Sequence, residues 1–383
     1  MRLTGLAAAA ATLLAVVSGA TGFEHKILAA LALPPLAALV LAGRFARPRL
    51  LTPSLVALFL FGLAAFVPGE PLHATVAALA FAGTLVACAQ TFRGDHVAAG
   101  AWRDYVTLTK PRIMTLLLLT GACGMVVGAR SLPSLGLFAA TMAGLALACG
   151  GASALNHVLD ADIDRLMGKR TQQRPVAAGR IEPARALEFG LTLSAFSFVL
   201  LASTVNVLTA ALALAGNLFY VLVYTRWLKR TTPQNIVIGG AAGAVPPLVG
   251  WAAATGNLTV PALFLFLIVF FWTPPHFWAL ALLIRDSYAA AKVPMLPVVR
   301  GERETLRQIV VYTLVLIAIT LLPFAWGTLG VAYAAVALAL GGLFLALTLR
   351  LRRQPSRRRA SFLFHYSLLY LALLFVAMAL DVL

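Results

Sequence analysis

Three polar side chains with a regular spacing stand at the end of a long apolar run. Asn156, Asp160 and Asp164 are four residues apart, so on a helix they lie along one face. The preceding residues 134–155 are apolar over a length that can cross a bilayer. Carboxylates at the end of a membrane span are costly unless a cation meets them, which marks this stretch as a candidate functional site.

Basic residues follow the carboxylates in the chain. Lys169, Arg170 and Arg174 come next, so the segment offers carboxylates to a metal ion and cations to an anion. Mg²⁺ is usually held by one or two carboxylates together with substrate phosphates. A magnesium-bound diphosphate carries both signs and is the ligand that this combination favours. The neutral oxygen of Asn156 can join such a site without adding charge.

A second polar segment accompanies a later apolar run. Asp286 and Tyr288 follow that run, and His276 lies within it. An even number of predicted spans separates Asp286 from Asp160, so we expect both carboxylates on the same side of the membrane and on one metal ion. Aromatic side chains such as Tyr288 can shelter the carbocation that forms when a diphosphate leaves an allylic carbon. His276 fits either a hydrogen-bonded core histidine or a ligand to a buried metal centre.

One further cation near a predicted span end has two interpretations. Arg112 follows Lys110 and Pro111 at the start of a span, where a proline fits the first helical turn. A cation at this position can face phosphate oxygens, or it can face lipid headgroups. The sequence does not decide between them.

The composition determines what kind of scaffold must position these residues. The 383 residues are 61% hydrophobic and only 11% charged, whereas soluble domains are about 45–50% apolar and about 25% charged. We therefore predict an all-α, polytopic transmembrane helical bundle in the lipid bilayer. Thirteen apolar runs are long enough to be spans, near residues 5–22, 26–42, 51–68, 72–92, 112–130, 134–155, 189–205, 207–224, 236–255, 260–284, 309–328, 331–349 and 361–381.

The net charge of +17 reflects topology rather than nucleic-acid binding. With the N-terminus inside, every lysine and arginine except Lys26 and Arg130 falls in connections on the inner side. This is the positive-inside bias of membrane proteins. It predicts a multi-pass protein of the cytoplasmic (inner) membrane, with both acidic segments on the cytoplasmic face.

The polar connection 93–112 divides the chain into two parts. Residues 1–100 are predicted to form about four extra spans, the first of which, 1–22, also has features of a signal peptide. His25 and His73 lie at the outer ends of these spans, as interfacial residues or as ligands of a haem. Residues 101–383 are predicted to form a nine-helix domain that contains both acidic segments.

Several stretches of the second part resemble the UbiA-type intramembrane prenyltransferase superfamily, and within it the branch that farnesylates haem. The resemblance covers about 101–383, and the last three stretches are those that point to the haem branch. The matching stretches are KPRIM (110–114), ALNHVLDADID (154–164), RTQQRP (170–175), YTRWLKRTTPQNI (224–236), GAVPPLVGW (243–251), WTPPHFWAL (272–280) and VPMLPVV (293–299).

The resemblance implies transfer of a farnesyl group from farnesyl diphosphate to the 2-vinyl group of haem b, with Mg²⁺ as cofactor, addition of water and release of diphosphate. Carried over by position, Asn156, Asp160 and Asp164 would hold the magnesium diphosphate. Arg170, Arg174 and Lys229 would contact phosphate oxygens, Asp286 would belong to a second acidic site, and His276 would contact haem. Haem A synthase, which uses the product, would be a partner.

Two features depart from the family pattern. The family often has adjacent acids before the tyrosine, whereas Ser287 follows Asp286 here, which puts the strength of the second site in question. Residues 1–100 lie outside the resemblance and are loosely similar to half of a haem A synthase. Two other functions stay open at this stage: prenylation of another aromatic acceptor, and a membrane transporter that uses the buried charges as an ion path.

Overall fold

A computed structural model describes residues 2–21, 32–41, 51–64, 76–77, 80–81, 83–88 and 101–383. In this part of the chain all regular secondary structure is helical, which confirms the predicted fold class. Near the N-terminus, helices run over Arg2–Thr21 and Leu51–Ala64. The four predicted N-terminal spans lie partly outside the described residues, as do His25 and His73, so that prediction is not tested.

Among the described residues, nine helices are long and apolar enough to cross a membrane. Each corresponds to one of the last nine predicted spans. The largest differences are at the helix ends predicted to face the cytoplasm, where polar residues continue the helices beyond the apolar runs. The nine are α1 (Pro111–Ala129), α2 (Leu135–Leu159), α3 (Pro183–Thr204), α4 (Val207–Thr231), α5 (Asn235–Thr255), α6 (Val260–Leu283), α7 (Gly301–Ala325), α8 (Val331–Arg353) and α9 (Arg357–Val382).

The nine helices close into a ring, because each packs on the next in the chain and α9 packs on α1. Contacts of α1 with α5 and of α6 with α9 cross the ring. The α1–α5 contact depends on glycine, since a Cβ on Gly250 would collide with the backbone of Gly121, and a Cβ on Gly124 would meet the carbonyl of Pro247. Small residues thus allow the close approach on which helix packing in membranes depends.

The contact between α2 and α4 positions the candidate site. These two helices run in the same direction, and α4 is π-helical over Phe219–Leu228, a conformation that is rare and frequent at functional sites. Contacts between the two have a constant offset of 69 positions in the sequence. Hydrogen bonds join Ala148 with Asn217, Asn156 with Thr225 and Asp160 with Lys229, and Ala152 and Val221, at the same offset, belong to one hydrophobic cluster.

Candidate active site

Asp160 stands at a break in the helix that carries the acidic residues. Helix α2 ends at Leu159 and a short helix begins at Ala161, and Asp160 between them has φ −94° and ψ 2°. Backbone hydrogen bonds continue across the break, because the N–H of Asp160 donates to the carbonyl of Asn156 and the N–H of Asp164 donates to the carbonyl of Asp160. The predicted spacing along one face therefore holds, with a local bend at its centre.

The carboxylate of Asp160 is buried and paired. Its Oδ2 accepts a hydrogen bond from Lys229 Nζ at 2.5 Å and another from Asn156 Nδ2 at 2.8 Å. Asp160 has no exposed surface, and its Oδ1 makes no hydrogen bond to any described residue. A buried carboxylate oxygen without a partner is costly, which is expected where a cation or a polar ligand binds.

Lys110 extends this polar network. Its Nζ donates to Asn156 Oδ1 at 2.7 Å, and its backbone has φ 51°, a left-handed conformation that is uncommon outside glycine. Burial and, to a smaller extent, the charge of Arg174 lower the pKa of Lys110, while Asp160 raises it, and together they bring it to about 7. The residue is therefore close to its protonation midpoint at neutral pH.

Asp164 faces a different cation from Asp160. Arg174 Nη1 donates to Asp164 Oδ1 at 2.7 Å and to Oδ2 at 2.9 Å. Asp164 is buried, whereas the side chain of Arg174 is 31% exposed. Burial raises the pKa of Asp164, against the lowering effect of Arg174. The two buried carboxylates are thus each neutralised by one cation, and Lys110 adds a third positive group.

Hydrogen bonds from Arg230 stabilise the helix break at Asp160. Arg230 donates to both carboxylate oxygens of Asp162 at 2.7 Å and to the carbonyl of Leu159 at 2.6 Å. The hydrogen bond from Arg230 lowers the pKa of Asp162 to about 2. By binding the last carbonyl of α2 and the helix that follows, Arg230 ties the end of α4 to the Asp160 segment.

Aromatic side chains lie beside the carboxylates of Asp160 and Asp164. Tyr220 and Tyr224 lie one turn apart on the π-helical segment, with ring centroids 5.5 Å apart, and Gly239 leaves the space that the Tyr224 ring occupies. Tyr288 is buried against Ile163 in the same hydrophobic cluster as Tyr224. Burial raises the pKa of Tyr288 to about 12, so its hydroxyl keeps its proton.

Four of the predicted residues are not brought into this network. Arg112, Lys169, Arg170 and Asp286 are exposed. Within the described ranges, no group of three or more His, Cys, Asp or Glu side chains is placed to hold a metal ion. The structure therefore does not place Asp286 with Asp160 and Asp164. The side chain that the second acidic segment turns inward is Tyr288, two residues later.

His276 lies in a different environment from the carboxylates. Its ring stacks between Trp272, at 4.3 Å, and Phe364, at 4.8 Å. Its Nδ1 lies 2.7 Å from Ser367 Oγ. Of the two interpretations left open by the sequence, this packing favours a hydrogen-bonded core histidine. Contact with haem remains a prediction.

The structure adds residues that the sequence analysis did not select. Lys110 rather than Arg112 reaches the site, because the left-handed turn directs its side chain toward Asn156. Thr225 and the tyrosines Tyr220 and Tyr224 are brought in by the π-helical segment, and an apolar run carries no signal for that conformation. The signals available for Lys110 were its position just before Pro111 at a helix start and its place in the stretch KPRIM (110–114).

The amino-acid sequence is similar to those of known intramembrane prenyltransferases. A sequence model of the UbiA prenyltransferase family matches residues 117–369. Relatives named protoheme IX farnesyltransferase include those of Symbiobacterium thermophilum, 55% identical over 282 residues, and Thermus thermophilus, 53% identical over 280 residues. Another, from a Roseiflexus species, is 55% identical over 279 residues.

The share of this chain that is matched is the same for the three relatives, whereas the share of each relative that is matched differs. Each covers 73% of this chain. The matched part is 94% of the Symbiobacterium protein, but the chain spans only about half of the other two, 52% for Roseiflexus and 46% for Thermus.

Solved structures share the fold at low sequence identity. A digeranylgeranylglyceryl phosphate synthase superposes with a TM-score of 0.61 at 18% identity, over 73% of this chain and 98% of that one. A UbiA homologue from Archaeoglobus fulgidus bound to DMAPP and Mg²⁺ gives 0.55 at 19% identity, over 72% and 99%. These structures show the shared fold, and the match to the family over residues 117–369 shows that the chain belongs to the UbiA prenyltransferase family.

Proposed function

We propose that this chain transfers the farnesyl group of farnesyl diphosphate to the 2-vinyl group of haem b, adds water to the resulting side chain and releases diphosphate. The observation that carries the reaction type is the buried set of paired charges, in which Asp160 meets Lys229 and Asp164 meets Arg174. The names of relatives at 50–55% identity support the choice of substrates.

The charge balance of the site suits a diphosphate. Lys110, Arg174 and Lys229 supply three positive groups against the carboxylates of Asp160 and Asp164 when Lys110 is protonated. An anionic diphosphate brought in with a divalent cation would leave this buried group of charges close to neutral. An ion path for a transporter gives no reason for three cations around two carboxylates at the end of α2.

The residues present also fit Mg²⁺. Asp160 has one buried oxygen without a hydrogen-bond partner, and Mg²⁺ takes one or two carboxylates and substrate phosphates as ligands. Asp160 and Asp164 would hold the ion, with Asp286 as an outer carboxylate at the same mouth of the bundle. When bound, Mg²⁺ would stabilise the negative charge that develops on the leaving diphosphate. A related structure bound to GPP and Mg²⁺ supports the assignment.

The chain's own cations and aromatic side chains complete the proposed mechanism. Lys229 and Arg174 would bind the phosphate oxygens and stabilise the departing group through preorganised charge. Tyr288, buried beside the carboxylates, would shelter the allylic cation with the face of its ring. The hydrophobic cluster around it excludes water from the reacting carbon until the acceptor has been attacked.

We further propose that residues 101–383 carry the activity and that the active site faces the cytoplasm. The matched part of the chain corresponds to almost the whole length of the Symbiobacterium relative. The basic residues cluster at the helix ends on one side of the bundle, and the positive-inside rule assigns that side to the cytoplasm. Residues 1–100 would form a separate unit, and haem A synthase, which uses the product, would be the partner.

Mass analysis of haem tests the proposal. The full chain is expressed in a bacterial host that lacks its own haem farnesyltransferase, and extracted haem is compared with that from an empty vector. We expect a new haem whose mass exceeds that of haem b by one farnesyl group and one hydroxyl group, since the water that adds to the side chain loses a proton. In vitro, farnesyl transfer to haem b is compared with transfer to 4-hydroxybenzoate, and transfer only to the latter would favour another aromatic acceptor. Release of no diphosphate with either acceptor would refute both.

A further inference from the structure

Thr225 is exceptional among the buried threonines of the described residues. The others donate their hydroxyl within their own helix, usually to a carbonyl three or four residues earlier. Thr225 has no exposed surface, and its Oγ1 accepts a hydrogen bond from Asn156 Nδ2 on α2 at 3.0 Å. Thr225 lies in the π-helical segment Phe219–Leu228, whose backbone differs from that of an α-helix.

The amide of Asn156 has one orientation because its partners are chemically distinct. Protonated Lys110 can only donate, so it selects the carbonyl oxygen, 2.7 Å away. The carboxylate of Asp160 can only accept, so it selects the amide nitrogen, 2.8 Å away. Thr225 accepts from the same nitrogen. Three groups therefore agree on the orientation of one side chain.

Two of those three groups belong to the proposed ligand-binding set. A magnesium diphosphate would draw Lys110 toward phosphate and Asp160 toward the metal, and the hydrogen bonds of both to Asn156 would weaken. Thr225 faces α2 from the packed interface with α4 and carries no charge. It would thus hold the amide nitrogen when the other two partners are engaged.

We infer that Thr225 is a positioning residue, which keeps the carbonyl oxygen of Asn156 directed toward the metal and diphosphate by holding its amide nitrogen. This inference rests on the proposed function. The contact belongs to the regular series of pairs between α2 and α4, in which the next pair is Asp160 with Lys229. One interface thus sets the position of the carboxylate and the orientation of the amide beside it.

The test removes the hydroxyl without changing the shape of the side chain. Thr225→Val lacks the acceptor, Thr225→Ser keeps it, and Thr313→Val is the matched control. Thr313 is also fully buried, but it donates to Ile309 of its own helix. Each full-length variant is purified in detergent, and its affinity for the non-reacting analogue farnesyl S-thiolodiphosphate is measured by calorimetry with Mg²⁺ and with EDTA. Thermal unfolding is recorded in parallel.

We expect Thr225→Val to weaken Mg²⁺-dependent binding about tenfold, since a buried amide nitrogen loses its acceptor. Thr225→Ser should restore affinity to within about twofold of the unchanged protein. Thr313→Val should bind as the unchanged protein does. With EDTA, Thr225→Val and the unchanged protein should bind the analogue equally weakly.

Three results would overturn the inference: unchanged Mg²⁺-dependent affinity in Thr225→Val, no restoration by Thr225→Ser, or an equal loss in Thr313→Val. Failure of the proposed function is distinguishable. If the unchanged chain does not bind the analogue with Mg²⁺, the proposed function fails and the role of Thr225 fails with it. If the unchanged chain binds and Thr225→Val binds equally well, only the role of Thr225 is lost.

Discussion

The pair formed by Asp160 and Lys229 permits a test that separates stability from catalysis. Asp160→Asn keeps the size of the side chain but leaves Lys229, which is only 8% exposed, without its carboxylate 2.5 Å away. Removing one partner of a buried ion pair destabilises a protein by about 3–5 kcal/mol. Replacing both partners by neutral groups is often nearly neutral for stability. The double variant Asp160→Asn/Lys229→Met should therefore recover most of the lost thermal stability.

Activity should not recover with stability. If Asp160 binds the metal and Lys229 a phosphate, each single variant loses about 10²–10³ in kcat, as does removal of one preorganised electrostatic group elsewhere. The double variant should be at least as inactive as either single variant. Diphosphate release and haem mass are measured on membranes that contain equal amounts of each protein, and unfolding is followed in detergent. A stable double variant with nearly full activity would show that the pair only holds α2 against α4, and the metal-site argument would be wrong.

Three further predictions concern the other charges of the site. The pKa of Lys110 is about 7 without ligand, and a bound diphosphate favours the cationic form of this residue. Above pH 7, binding of the analogue is therefore accompanied by uptake of a proton. The affinity for the analogue should then fall from pH 7.5 to 9 by up to about tenfold per pH unit. Lys110→Arg should flatten this slope; an equal slope in both proteins would exclude Lys110 as its source. Arg174→Lys keeps the charge but loses the contact with both oxygens of Asp164, so KM for farnesyl diphosphate should rise about tenfold; an unchanged KM would remove Arg174 from the phosphate site. Asp286→Asn should raise the Mg²⁺ concentration for half-maximal rate with a smaller loss of kcat than Asp160→Asn, since Asp286 is exposed; an unaltered Mg²⁺ requirement would show that Asp286 does not contribute.

Much of the fold could be predicted because membrane insertion places strong constraints on composition. A helix that crosses the hydrocarbon core needs about 20 apolar residues, and these runs stand out in the chain. The apolar residues 134–155 predicted α2, and the charged residues that follow them marked its C-terminal end. Helix ends were less certain, since polar turns extend beyond the membrane. Gly301 begins α7 eight residues before the predicted span at 309, with acidic residues in its first turn that suit a helix N-terminus.

The sequence alone determined that the chain is a membrane-spanning helical bundle and that Asn156, Asp160 and Asp164 share one face. Both follow from local rules of hydropathy and helical spacing. Only the tertiary structure decided which cation meets which carboxylate, why Lys110 and not Arg112 enters the site, and why Asp286 stays exposed while Tyr288 turns inward. Those choices depend on contacts between distant parts of the chain, such as the parallel packing of α2 on the π-helical part of α4. No local pattern of residues encodes that packing.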